Sequence, residues 1–150
     1  MRPATLIISL LLALSTTAFA DGEAGTIKIS RGDAAIERNG STLPASVGSA
    51  VLVSDQIVTG EDGAVGITLR DNTRLTAGPN TTLDLNTFSF DTTTHAGAVD
   101  ASVTRGSLSV ISGKIAKASP NAVRFNTPTV TLGVRGTEFI IEVDEQEGSE

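Results

Sequence analysis

One stretch of the chain decides the fold: Val65-Gly66-Ile67-Thr68-Leu69-Arg70. Its apolar side chains recur at every second position, with glycine, threonine and arginine between them. Because successive side chains of a β-strand point to opposite faces, this alternation predicts a strand with one buried face. Asp71-Asn72 follows as a turn and leads into another short strand.

The same pattern continues on both sides of this stretch. Short runs rich in valine, isoleucine, leucine and threonine are separated by turn residues such as Asn39-Gly40, a dipeptide typical of tight hairpins. Only residues 114–118 suit a short helical turn. Strands that recur every 8 to 12 residues or so are typical of a sandwich, barrel or solenoid. Irregular leucine and isoleucine spacing favours the last, so we predict an all-β fold, a short irregular β-solenoid or β-roll of short strands.

A change of parity marks one predicted strand, residues 81–90. Leu83 and Leu85 fall on one face, whereas Phe88 and Phe90 fall on the other. One extra residue in the strand would reconcile the two pairs, so the sequence predicts a β-bulge near Asn86.

The N-terminus has the features of a secretory signal peptide. Arg2 precedes an apolar run at residues 6–14, and Ala18-Phe19-Ala20 supplies small residues before Asp21. The run is about half of the ~20 residues that a membrane-spanning helix needs. We therefore expect residues 1–20 to be removed and the protein to be periplasmic or secreted, with no membrane span after cleavage. A retained N-terminal anchor is the alternative.

Composition narrows the classes of partner. The 150-residue chain has no cysteine, so its core must hold the fold without disulfides, and its length suits one domain, predicted at residues 21–143. The acidic ending, residues 144–150, is predicted to be a disordered tail.

The charge of the chain disfavours one class of partner. With a net charge of −6 and dispersed basic residues, nucleic acid is not an expected partner.

The most distinctive segment is residues 125–143, which predicts two strands joined at a glycine. Pro128 cannot donate to a ladder and suits a strand start. Gly136 can kink or bulge the chain, after which Phe139, Ile141 and Val143 share one face.

This segment resembles the signature of the FecR domain family, T-P-x-x-x-x-x-V-R-G-T-x-F. The matching positions are Thr127, Pro128, Val134, Arg135, Gly136, Thr137 and Phe139. Upstream, residues 53–60 are similar to the family's G-D-x-I-x-T-G segment, with Ser54 in place of glycine. Residues 63–73 resemble its A-x-L-x-L-x-D-G-S strand and turn, and residues 105–110 its L-x-x-G-x-L-x-V strand.

The resemblance implies a function. A FecR domain is typically the periplasmic part of a transmembrane regulator, with a solenoid-like β fold, and it receives a signal from an outer-membrane transporter. The anti-sigma and membrane-spanning segments have no counterpart in this sequence. We therefore expect a stand-alone, non-enzymatic interaction or sensing module, with an envelope protein as partner, no cofactor, and recognition through an exposed strand edge.

Individual polar residues suggest few sites. Arg135 and Glu138 could form a recognition patch, although a structural role for Arg135 at the turn is favoured. His95 is the only histidine, and a solvated loop residue is its favoured interpretation. A zinc site lacks ligands, whereas calcium is harder to exclude because several turns carry carboxylates. These acids are Asp55, Glu61, Asp62 and Asp71.

The alternative function is that of a β-solenoid enzyme that cleaves polysaccharide, or of a polysaccharide-binding envelope protein. Candidate carboxylates are Asp71, Asp84 and Glu138, whose separation sequence spacing cannot establish. Sugar binding is disfavoured because the chain has no tryptophan or tyrosine. Its phenylalanines after residue 20 are predicted to lie in the core.

Overall fold

A computed structural model describes residues 22–134 and 138–144, which form an all-β fold. The strands are β1 (Glu23–Arg31), β2 (Ala34–Arg38), β3 (Ser41–Pro44), β4 (Ala50–Leu52), β5 (Gln56–Thr59), β6 (Ala64–Leu69), β7 (Arg74–Ala77), β8 (Thr82–Phe90), β9 (Gly97–Ile111), β10 (Val123–Asn126), β11 (Thr131–Gly133) and β12 (Glu138–Val143). A short helix, α1 (Lys114–Ala118), and a 3₁₀ turn at Pro120–Ala122 follow β9. The all-β prediction is confirmed, and so is the short helical turn at residues 114–118, which the 3₁₀ turn follows.

The strands form one curled sheet in the order β3-β2-β5-β8-β9-β7-β6-β1-β4. The long strand β9 also pairs with β10 and β12, and β11 extends the sheet from β10. Among the described strands, only the β9–β10 ladder is parallel. A parallel β-solenoid stacks its coils through parallel ladders, so the predicted solenoid or roll is not confirmed.

Strand β9 bends at Gly106. The sequence predicts separate runs at residues 98–104 and 107–111, but the structure has one continuous strand in which Gly106 adopts φ +90°. A Cβ atom at this position would lie 2.5 Å from Thr81 Cα and 2.6 Å from the Asn80 carbonyl oxygen. Glycine is therefore required here, because it allows both the positive φ and the close approach of the neighbouring backbone.

The core is a cluster of buried apolar side chains from the strands and α1. Val65, Ile67 and Leu69 are all buried, as their alternation predicts. Phe125 is fully buried, and the other phenylalanines of the described chain, Phe88, Phe90 and Phe139, are partly buried against the core, which confirms their predicted place. The largest other buried side chains come from strands throughout the sheet order and from α1: Ile27, Ile36, Ile57, Leu75, Leu83, Leu108 and Ile115.

Two local predictions are also confirmed. Asn39 and Gly40 have φ values of 51° and 77° and connect the paired residues Arg38 and Ser41, as a two-residue hairpin turn requires. The register of β8 against β9 shifts between Leu85 and Thr87, which places the predicted bulge at Asn86.

Several predictions lie outside the described residues. These are the signal peptide, the tail beyond residue 144, and the motif residues Arg135, Gly136 and Thr137. Within residues 22–134 and 138–144, no helix has both the length and the apolar character needed to cross a membrane.

Candidate functional site: a strand edge and its groove

The Thr127 side chain organises the turn between β10 and β11. Its Oγ1 accepts hydrogen bonds from the N–H groups of Val130 and Thr129 at 3.1 and 3.4 Å. The Thr127 N–H donates to the Val130 carbonyl at 2.8 Å. Pro128 lies at the exposed tip, where its missing N–H breaks no ladder bond. In this structure, Thr127 and Pro128 thus shape a surface turn.

The two motif strands bury their side chains differently. Val130, Leu132 and Val134 stand at every second position in and beside β11, but Val130 and Leu132 are exposed and only Val134 is buried. In β12 the predicted face holds: Ile141 is buried, and Phe139 and Val143 pack against the core. The Phe139 ring meets Phe125 edge to face, with 5.5 Å between centroids. This contact fixes one face of β12 against the protein.

A surface groove lies between this turn and the end of β12. Its volume is about 650 Å³. Strand β10 pairs with β9 as far as Ser102, and β12 pairs from Gly106 onward, so residues 103–105 of β9 lie between the two ladders. The groove is lined by Thr104, Arg105, Thr127, Pro128, Thr129, Glu142, Val143 and Asp144. Its lining contains two carboxylates and one guanidinium, and the guanidinium also donates to the Asn80 carbonyl at 3.2 Å.

Strand β12 is an edge of the sheet within the described chain, because its ladder is with β9 alone. All six of its residues pair with β9, from Glu138 opposite Ile111 to Val143 opposite Gly106. A paired edge strand still presents outward N–H and C=O groups on its other side. Ile140 on the outer face is 67% exposed. Among residues 22–134 and 138–144, no strand pairs with the outer side of β12, which also carries an exposed apolar side chain.

The edge at β4, the last strand of the sheet order, is capped by an ion pair. Arg38 on β2 donates from Nε to Asp55 Oδ1 at 2.8 Å and from a terminal nitrogen to Oδ2 at 2.7 Å. The same terminal nitrogen donates to the Ala50 carbonyl, and Asp55 Oδ2 accepts from the Leu52 N–H. The hydrogen bond to Asp55 raises the pKa of Arg38 above its ordinary value. The pair therefore occupies backbone groups of β4 that a new strand would need.

The remaining edges are short. Strand β11 has three residues, and β3 has four and ends at Pro44. Short length and proline are two of the ways in which proteins make a sheet edge unsuitable for pairing. Strand β12, with six residues, is the longest edge of the described sheet.

Asp71 holds the turn after β6 and does not reach solvent. Its Oδ1 accepts from the Thr73 N–H at 3.0 Å, and its Oδ2 accepts from the Thr73 hydroxyl at 2.7 Å and the Ile115 N–H at 3.2 Å. The side chain is fully buried. With its oxygens engaged in this way, Asp71 ties the turn to α1 and is not placed to act as an acid or base on a substrate.

The other two candidate carboxylates lie on different strands. Asp84 on β8 accepts from the Gln56 amide at 2.8 Å, and Glu138 is exposed at the start of β12. Since Asp71 is buried in a turn, the three do not form the exposed pair that glycoside cleavage uses. The geometry offers no support for the polysaccharide-cleaving alternative.

The predicted calcium-ligand candidates have separate roles. Asp55 binds Arg38, Asp71 holds its own turn, and Asp62 accepts from the Asp33 N–H at 3.0 Å. Glu61 is exposed beside Asp62. Within the described ranges, no three histidine or acidic side chains come close enough to share a metal ion.

His95 lies in the exposed loop between β8 and β9, as the sequence suggests. Its ring stacks on Phe90 with 6.0 Å between centroids, and its backbone adopts φ +61°. In the same loop, hydrogen bonds from the N–H groups of Thr94 and Thr93 hold the pKa of Asp91 below its usual value. These contacts shape a turn rather than a catalytic set.

Sequence reasoning missed the ion pair and the groove. The two partners of the pair are 17 positions apart, and the groove joins residues from β9, from β12 and its end, and from the turn between β10 and β11. The sequence singled out Asp55 only as a candidate calcium ligand, within a segment that resembles the family pattern. No sequence signal identifies Arg38 as its partner.

Comparison with known proteins identifies one family. The family model described as FecR protein matches residues 55–149, well over half of the chain. The match begins at Asp55 and includes β12 and the turn at Thr127. Neither the curated proteins nor the solved structures gave a match.

Proposed function

The chain belongs to the FecR family, whose members are regulatory or sensing domains, and from this we propose that it is an exported, non-enzymatic module that binds another protein of the bacterial envelope. FecR domains are typically periplasmic, which agrees with the secretory features of residues 1–20. The partner would bind at the β12 edge and extend the sheet by one strand.

The observation that carries this proposal is the contrast between the sheet edges. The β4 edge is closed by Arg38 and Asp55, whereas β12 offers six residues and the exposed Ile140. Main-chain hydrogen bonds supply affinity when a strand is added, and alternate side chains supply specificity. The groove at the end of β12 would receive the continuing chain of the partner.

Site-specific photo-crosslinking in a Gram-negative host tests the binding surface. A photoreactive residue replaces Ile140 in one variant and Val47 in the other, since these two side chains are 67% and 64% exposed. We expect a discrete adduct with one envelope protein at position 140 and none at position 47. The partner is then purified and titrated against the protein to show saturable binding. No adduct at position 140, or the same adducts at both positions, would overturn the proposal.

Fractionation of the same cells tests export. The protein recovered from the periplasm or medium should begin at Asp21. A protein that stays in the cytoplasm with Met1 intact would contradict an envelope role.

A further inference from the structure

Two carboxylates flank an isoleucine on the outward face of β12. Glu138, Ile140 and Glu142 are spaced two residues apart and are all exposed, so they share one side of the strand. Ile140 has the largest exposed fraction among the large apolar side chains of the described residues. The edge therefore presents an acidic, apolar, acidic pattern to any strand that pairs with it.

The β9 residues directly opposite these three side chains carry no charge, although Arg105 of β9 lines the groove together with Glu142. On β9, Ile111 lies opposite Glu138, Ser109 opposite Ile140, and Ser107 opposite Glu142. The nearest cation across the sheet in register with Glu138 is Arg74, which pairs with Ile111 one strand further away. Two strand spacings amount to roughly 10 Å, beyond the reach of a direct cross-strand pair.

A second copy of this chain is a poor occupant of the edge. Two copies related by a two-fold axis would pair β12 with β12 in antiparallel orientation. A register centred on Ile140 places Glu138 opposite Glu142 of the other copy. A register centred on Ile141 places Glu138 opposite Asp144 and leaves Glu142 opposite Ile140. Like charges placed directly opposite each other destabilise a ladder, so pairing of β12 with the β12 of a second copy is unfavourable.

We infer that β12 binds an extended strand of another protein. On the face that this strand shares with Glu138, Ile140 and Glu142, its side chains are basic, apolar and basic in order. The basic residues would lie opposite Glu138 and Glu142, and the apolar residue opposite Ile140, about 4.5–5.5 Å apart between Cβ atoms. This inference rests on the proposed function and adds the chemistry of the partner. The net charge of −6 supports it, because the whole chain favours the approach of a basic segment.

Peptide titration tests the charge pattern with the purified protein. Three nine-residue peptides are compared at 0.15 M salt: one with the basic, apolar, basic face, one with acidic residues in place of the basic ones, and a scrambled form of the first. Exposed charges further apart than about 8 Å are largely screened at this salt concentration. We expect the basic peptide to bind at least tenfold more tightly than either of the others.

Charge-reversal variants separate local from global attraction. Glu138→Lys combined with Glu142→Lys should reverse the preference, so that the acidic peptide binds more tightly. Glu37→Lys combined with Glu61→Lys makes the same change in net charge at exposed positions away from β12, and should change the affinity for the basic peptide less than twofold. If both double variants weaken binding equally, the attraction is not local and the inference fails.

Hydrogen exchange then checks strand addition independently of the variants. Binding of the basic peptide should slow exchange at alternate amides of residues 138–143, since the inward amides already bond β9. Protection elsewhere overturns the inference, and so does a dimer of the free protein that Ile140→Lys abolishes. A crosslinked partner at position 140 without any preference among the peptides would leave the proposed function standing and reject the partner chemistry. If position 140 gave no crosslinked partner and the peptides bound with equal affinity, both the proposed function and the partner chemistry would be rejected.

Discussion

Arg38 and Asp55 form a two-pronged ion pair, with separations of 2.8 and 2.7 Å, that connects β2 to β4. Arg38 lies on β2, second in the strand order, and the pair also binds the backbone of β4, the last strand in that order. The curled sheet is thus closed by side chains where no ladder closes it. The same contact caps an edge that would otherwise be open.

Arg38→Met should therefore destabilise the protein. Asp55 is 1% exposed and would keep a buried charge without its partner, which costs about 3 kcal/mol at the low end of the range for buried pairs. Urea unfolding of Arg38→Met measures this loss, with Arg124→Met as the control at an exposed position. A loss no larger than that of the control would show that the pair does not close the sheet.

Thr73→Val should loosen the turn after β6. The substitution keeps the shape of the side chain but removes a hydroxyl that donates to Asp71 and accepts from the Gly113 N–H at 3.2 Å. Leaving these buried groups without a partner costs about 1–3 kcal/mol. Thr76→Val, on the exposed face of β7, is the matched control and should be nearly neutral in thermal unfolding. Equal effects of both variants would contradict the role of the hydroxyl.

Gly106→Ala should unfold the protein more readily than Gly40→Ala. Both glycines have positive φ, and a left-handed conformation costs a residue with a Cβ about 1–2 kcal/mol. Only at Gly106 would the added atom also meet Thr81 and Asn80, because the space around Gly40 is open. Denaturant unfolding gives the free energy of unfolding of both variants. The loss in Gly40→Ala reflects backbone strain alone, and the additional loss in Gly106→Ala reflects crowding. If the two lose the same stability, the bend of β9 tolerates a side chain.

The loop of Asp91 should respond to acid. Since its folded-state pKa is depressed, the stabilising contribution of its hydrogen bonds is complete above the unfolded-state pKa of about 3.9 and is lost as the pH falls through the folded value. Amide resonances of Thr93 and Thr94 should shift together, with a midpoint below about 3.9. In Asp91→Asn this titration should vanish. A titration midpoint at or above the ordinary aspartate pKa would show that the N–H groups of Thr93 and Thr94 do not hold the Asp91 carboxylate in solution.

Local features were predictable to the extent that neighbouring residues determine them. The burial of Val65, Ile67 and Leu69 follows from a period of two, and the bulge at Asn86 follows from the change in parity between Leu85 and Phe88. The turn at Asn39 needs only two residues that tolerate positive φ. By contrast, the solenoid-like stacking predicted from leucine spacing was not confirmed, because spacing along the chain does not specify which strands pair.

The candidate site was predictable only in part. Thr127, Pro128, Val134 and Phe139 belong to a segment that the sequence marks as distinctive, and the family match includes it. Which edges are closed and where the groove lies depend on residues far apart in the chain. Asp55 meets Arg38 across 17 positions, and Thr104 meets Thr129 and Glu142 in one groove.

By itself, the sequence determined that this protein is built of short, half-buried strands and that it belongs to the FecR family. Both properties follow from the order of residues along the chain. The alternation of apolar and polar residues predicts the half-buried strands, and a sequence motif identifies the family. Only the tertiary structure decided which edges are closed, because backbone groups become capped or free according to the side chains that folding brings to them. Arg38 and Asp55 close the β4 edge, whereas the β12 edge displays Glu138, Ile140 and Glu142.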